Sequence, residues 1–87
     1  MAILFSKRFR RAYKKLSALL RRQVDVRIAI FITNQFDPIL SNHPLRGKFT
    51  GYRSINITGD YRAVYRMIDR ETASFIEIGT HARLYNG

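Results

Sequence analysis

Two histidines, His43 and His81, are the only side chains in this sequence whose ordinary pKa lies near neutrality, and between Phe36 and Ile68 the only acidic residues are Asp37 and Asp60. Around them stand the cations Arg46, Lys48, Arg53, Arg62 and Arg83 and the aromatics Tyr61 and Tyr85. One chemistry uses all of these types. An RNA strand breaks without a metal when the ribose 2′-hydroxyl attacks the adjacent phosphorus, given a base for that proton, an acid for the leaving 5′-oxygen and cations for the phosphorane. The arginines and the lysine suit phosphate, and the tyrosines suit unpaired bases. Each type also has a structural explanation. An isolated histidine in a basic protein is commonly a surface residue, Asp60 after Gly59 suits a turn, and Tyr52, Tyr65 and Phe75 are most simply core or sheet-face aromatics. Composition and spacing alone stop at a small basic α+β domain that binds nucleic acid.

The charge balance supports that much. Sixteen Lys and Arg against six Asp and Glu give a formal +10 and a pI near 10.9, which favours a polyanionic partner. With no cysteine, disulfides, thiolate nucleophiles and Cys-ligated zinc are excluded. Glu77 is the only acidic residue within four positions of either histidine, so no metal and no cofactor are expected. There is no secretory signal pattern and no apolar run of membrane-spanning length, so the chain reads as a soluble cytoplasmic protein with no membrane partner. Hydrophobic residues make up 46% of it, enough for one packed domain over 1–87.

The elements that would position these residues can be read from periodicity. "AILF" (2–5) reads as a strand, and Ser6 is a good N-cap for a helix beginning at Lys7. From Lys7 to Leu20, Phe9, Tyr13, Leu16 and Leu20 recur at helical spacing while basic residues fill the other face, which predicts an amphipathic helix ending or bending near Ser17. Residues 24–32, "VDVRIAIFI", alternate as a strand would, yet Val24, Ile28, Phe31 and Gln35 also line one helical face. β-branching favours strand. The segment 36–51, with two prolines and two glycines, reads as a long loop. Three strands come next, over 52–57, 61–68 and 72–78, joined by hairpin-length turns. The expected architecture is α+β: an N-terminal strand, helices, then a curled antiparallel sheet of three further strands with one face under the helices and the other open.

Three segments, "HPLRGKFTGYRSINI" (43–57), "GDYRAVYRMID" (59–69) and "IGTHARLY" (78–85), resemble the RelE/YafQ/HigB superfamily of bacterial type II toxins, the ribosome-dependent mRNA interferases, and most of all its YafQ-like branch. The resemblance implies a two-helix hairpin, with residues 20–35 helical despite their period of two. It also implies that His43, Asp60 with Tyr61, and His81 with Tyr85 occupy functional positions. His81 would be the general acid, His43 or Asp60 the base, Tyr85 a further catalytic-site residue, and Arg62 or Arg83 the partner of the phosphorane. Arg46, Lys48, Arg53 and Tyr61 would hold RNA. Where the family commonly has a histidine after "GYR", this chain has Asn56, which can hold a hydrogen bond but cannot shuttle a proton. Further implications are an acidic antitoxin as partner, the 30S decoding site of the ribosome and mRNA as targets, and a tail from His81 onward that could be deleted without loss of fold. Two rival functions stay open at this point: a ParE-like gyrase poison and a non-catalytic RNA-binding module.

Overall fold

A computed structural model describes residues 1–85. Strand β1 (Ala2–Phe5) leads into helix α1 (Lys7–Lys15), capped by Ser6, whose hydroxyl oxygen accepts from the Phe9 amide at 3.0 Å. The predicted helix over 7–20 is two helices. Leu16 leaves helical geometry, and Ser17 caps a new helix α2 (Ala18–Thr33) by accepting from the Leu20 amide. Arg21 reaches back to the Leu16 carbonyl, which the break would otherwise strand, and the Tyr13 hydroxyl donates to Asp25 at 2.8 Å, clamping the hairpin. That bond makes Tyr13 harder to ionise, raising its pKa above the ordinary phenol value.

Residues 18–33 are therefore helical, as the resemblance implied and against their β-branched alternation. Val24, Ile28 and Phe31 form the face that packs on the sheet, and the residues that alternation adds are left outside: Val26 and Ile32 are each 46% exposed. Tertiary burial of one helical face has overridden local propensity.

The predicted loop 36–51 has structure of its own. It holds a 3₁₀ turn over Pro38–Leu40 capped by Asp37, a two-residue strand β2 (His43–Pro44) and a second 3₁₀ turn over Gly47–Phe49. Then come β3 (Arg53–Asn56), β4 (Tyr61–Asp69) and β5 (Thr72–Thr80), and a short helix α3 (His81–Tyr85). The sheet runs β1-β5-β4-β3-β2 and is open. It is mixed, since β1 lies parallel to β5 while every other pair is antiparallel, and it has one strand more than the sequence predicts because His43 and Pro44 pair with Ser54 and Arg53.

The core lies between this sheet and the helices. Phe31, Tyr65 and Phe75 meet with ring centroids 4.8 to 5.2 Å apart, and Phe9 joins Phe75 at 6.0 Å. The buried Tyr65 hydroxyl accepts from Gln35 at 3.0 Å and Asn42 at 2.6 Å, so the ring can sit at zero exposure without an orphaned oxygen. No helix among the described residues is long and apolar enough to cross a membrane.

A register shift in β5 decides what the second face carries. Val64 faces Glu77 but its neighbour Tyr65 faces Phe75, so Ile76 is an extra residue. Phe75 and Ile78 both reach the core because of it, and Glu77 and Gly79 are turned to the other side. The Ser6 hydroxyl donates to the Ile76 carbonyl at 2.9 Å, tying the bulge to the start of α1. Phe31→Ala, which empties the centre of the core, should lower stability by about 3–5 kcal/mol in urea denaturation.

Candidate functional site

The face of the sheet opposite the long helices carries two cross-strand rows. In register, His43 lies opposite Ser54, Ser54 opposite Val64, and Val64 opposite Glu77; one step along, Asn56 lies opposite Arg62 and Arg62 opposite Gly79. Paired residues in antiparallel strands share a face, so these seven residues form one floor.

Helix α3 folds back over that floor. The Asp60 carbonyl accepts from the His81 amide at 3.0 Å, which fixes the point where β5 gives way to the helix, and Thr80 caps it by accepting from the Arg83 amide at 3.2 Å. Leu84, only 4% exposed, then packs on Gly79, where an added Cβ would stand 3.4 Å from a Leu84 methyl carbon. One residue on, the Tyr85 hydroxyl donates to the Ser54 hydroxyl at 3.1 Å. The His81 ring lies edge-on to Tyr85 at 4.7 Å, and Phe49, from the second 3₁₀ turn, meets Tyr85 from another side at 6.1 Å. Tyr85 thus ties His81 to Ser54, the strand neighbour of His43.

His43 is exposed, and its Nδ1 lies 2.8 Å from the Ser41 carbonyl. A carbonyl only accepts, so Nδ1 carries the hydrogen and Nε2 of the neutral ring is left with a free lone pair. Asp60 is exposed in the β3–β4 turn, where its amide donates to Thr58, and it meets His81 through the backbone. His81 and Tyr85 thus meet the sheet at Ser54, whose register partner is His43, Asp60 joins His81 through the backbone, and Asn56 is half-buried on the floor.

The predicted RNA contacts divide. Arg83 and Arg46 are exposed, and the Lys48 ammonium sits 5.4 Å over the Phe49 ring, beside Tyr85. Arg62 is on the floor, where one of its terminal nitrogens donates to the carbonyls of Thr58, Gly59 and Tyr61 and holds the β3–β4 turn. Arg53 lies elsewhere. It is opposite Tyr65 in register and so points to the helix side, where it donates to Asn42 at 2.8 Å and stacks over Phe36 at 5.4 Å. Tyr61 also turns to the helix side, half-buried against the core. The tail is a helix packed on the sheet, and the expectation that it can be removed without loss of fold meets the contacts it makes: deletion would strip Leu84 from Gly79 and the Tyr85 hydroxyl from Ser54.

Sequence reading missed Ser54, Phe49 and the pair Arg8–Glu77, whose Nε and Oε2 atoms are 2.7 Å apart. A serine inside a strand gives no signal. Glu77 did give one, as the lone carboxylate in the apolar run "SFIEIG".

This fold, an open mixed sheet with two helices packed on one side, matches those of small toxins. The YoeB/ParE toxin of Agrobacterium tumefaciens superposes with a TM-score of 0.78 at 22% identity, covering 93% of this chain and 99% of that one. The toxin chain of the Escherichia coli DinJ–YafQ complex does so with a TM-score of 0.72 at 24% identity, covering 95% and 96%. Within that class the chain belongs to the YafQ family, described as the bacterial toxin of a type II toxin-antitoxin system, whose model matches residues 1–86. A curated relative, the mRNA interferase toxin YafQ of Escherichia coli, is 34% identical over 47 residues, which are 54% of this chain and 50% of that protein, so the chain spans about half the length of the curated relative it matches.

Leu84→Ala should lower stability by about 2–4 kcal/mol, and removal of His81 onward by at least as much, both read as a fall in the thermal midpoint.

Proposed function

We propose that this chain is a metal-independent endoribonuclease that cuts mRNA at the decoding site of the translating 30S subunit, and that an acidic antitoxin neutralises it. The single observation that carries the reading is the Tyr85 hydrogen bond to Ser54, because it brings the one histidine of α3 to the strand neighbour of the other.

Two histidines with different surroundings suit the two proton transfers. His43 Nε2 takes the proton of the 2′-hydroxyl as its oxygen attacks phosphorus. His81, protonated, gives its proton to the departing 5′-oxygen, leaving a 2′,3′-cyclic phosphate and a free 5′-hydroxyl. His43 is favoured over Asp60 as base because its tautomer is fixed with the lone pair outward, whereas Asp60 is held only through its backbone. Tyr85 is a positioning residue here: its hydroxyl is committed to Ser54 and its ring to His81 and Phe49, so base stacking falls to other surfaces. Arg83, exposed two residues from His81, faces the phosphorane, and Arg62 shapes the turn that carries Asp60. Asn56 acts as a fixed hydrogen-bonding group on the floor and takes no proton.

The antitoxin fits the opposite side of the molecule. A groove of about 560 Å³ runs between α1 and α2 over Phe5, Phe9, Val24 and Ile28, with Arg10 and Lys14 on its rim. Apolar floor and basic rim match an amphipathic, acidic segment that orders on binding.

His81→Ala and His43→Ala should each reduce cleavage of mRNA on translating ribosomes by roughly 10²–10⁴-fold, read by primer extension. Near wild-type cutting by either would remove that residue from the mechanism, and gyrase inhibition without any RNA cleavage would move the protein to the ParE-like reading. Arg10→Glu combined with Lys14→Glu should weaken antitoxin binding in calorimetry by about tenfold or more while cleavage persists.

A further inference from the structure

The basic residues of α1 do not form one surface. Arg10 and Lys14 rim the apolar groove, whereas Arg8, Arg11 and Lys15 turn the other way, toward the end of β5 and the start of α3. There, with Arg83, they line a cleft of about 470 Å³ that also has Tyr61 and Glu77 in its walls. Four cations against one carboxylate make it anion-seeking. The Arg8–Glu77 pair neutralises one of them, and Arg11, Lys15 and Arg83 have no ion-pair partner among the described residues.

Glu77 adds a second requirement. The residue is 8% exposed, and its Oε1 is buried with no hydrogen-bond partner among the described residues. A buried carboxylate oxygen without a donor is costly, and a ligand that supplies an N–H or O–H relieves it. The occupant must therefore combine a negative group for the cations with a donor for Glu77. A nucleotide does both and offers a flat base to the Tyr61 ring. The cleft also adjoins the catalytic end of the sheet, since Thr80 and Arg83, which line it, flank His81 in the chain.

We propose that this cleft seats one unpaired nucleotide of the RNA next to the site of cutting, its phosphate between Arg11 and Lys15, its base against Tyr61 and one of its donors on Glu77 Oε1. The proposal rests on the ribonuclease reading above and adds to it a second contact site on the same strand. Separating the RNA flank of α1 from its antitoxin flank is part of the proposal.

The test uses the full chain carrying His81→Ala, so that RNA stays intact, and a fluorescein-labelled single-stranded RNA of mixed sequence as probe. Arg11→Ala with Lys15→Ala, both exposed positions, should lower RNA affinity by about 10- to 100-fold and reduce the slope of log affinity against log salt by roughly 1–2, with binding of the cognate antitoxin unchanged. Unchanged RNA affinity and slope would overturn the proposal. So would loss of antitoxin binding with RNA binding intact, which would assign the cleft to the protein partner. Cleavage by the protein with His81 in place separates the two layers: if it cuts no RNA while the paired substitution still weakens binding, the ribonuclease reading fails and the cleft stands as an RNA site.

Discussion

Parity along β5 governs the whole molecule. Side chains of a strand alternate between faces, so Phe75 and Ile78, an odd number of positions apart, cannot both enter the core unless the strand takes in an extra residue. Ile76 is that residue, and Ser6 anchors it. With the shift in place, Glu77 and Gly79 fall on the far face, where Leu84 of α3 packs on Gly79. The placement of His81 and Tyr85 depends on that change of parity. The bulge serves the packing on one side and the candidate site on the other.

The second organising feature is the division of charge on α1. A helix of nine residues with basic groups around most of its circumference could present a uniform positive surface, yet its apolar line, Phe9 with Ala12, Tyr13 and Leu16, docks against the core and parts the cations into two flanks. One flank edges a mostly apolar groove that Asp25 also lines, and the other a more polar cleft lined by Glu77. The same residue types stand in different surroundings on the two flanks.

The order of elements was legible in the sequence because it rests on long, strongly patterned runs. Ser6 as cap, the break near Ser17 and the three C-terminal strands all obey local rules, and the bounds differ from the observed ones by a residue or two. Residues 18–33 were not legible by periodicity, since Val24 and Ile28 satisfy both periods and only burial against the sheet decides between them. The parallel pairing of β1, the short strand at His43 and Pro44, and the helix at the tail depend on contacts distant in sequence. The same holds for the site. Residue types suggested His43, Asp60 and His81, but only register could show that Arg53 and Tyr61 turn to the opposite face while Ser54 and Glu77 turn inward to the site.

The parallel pair of β1 with β5 also bears on how the chain reaches this state. Ala2 to Phe5 find their partners at Thr72 to Phe75, and the bond from Ser6 to Ile76 spans 70 positions. Nearly the whole chain must be closed into a loop before the first strand makes any sheet bond, which is an entropic barrier that hairpins β3–β4 and β4–β5 do not face. Those hairpins are free to form early, with the outer edge of β5 unpaired until the N-terminal segment arrives. The bond that pins the bulge belongs to the same long-range closure, so the shape of the face that carries His81 depends on the first residues of the chain.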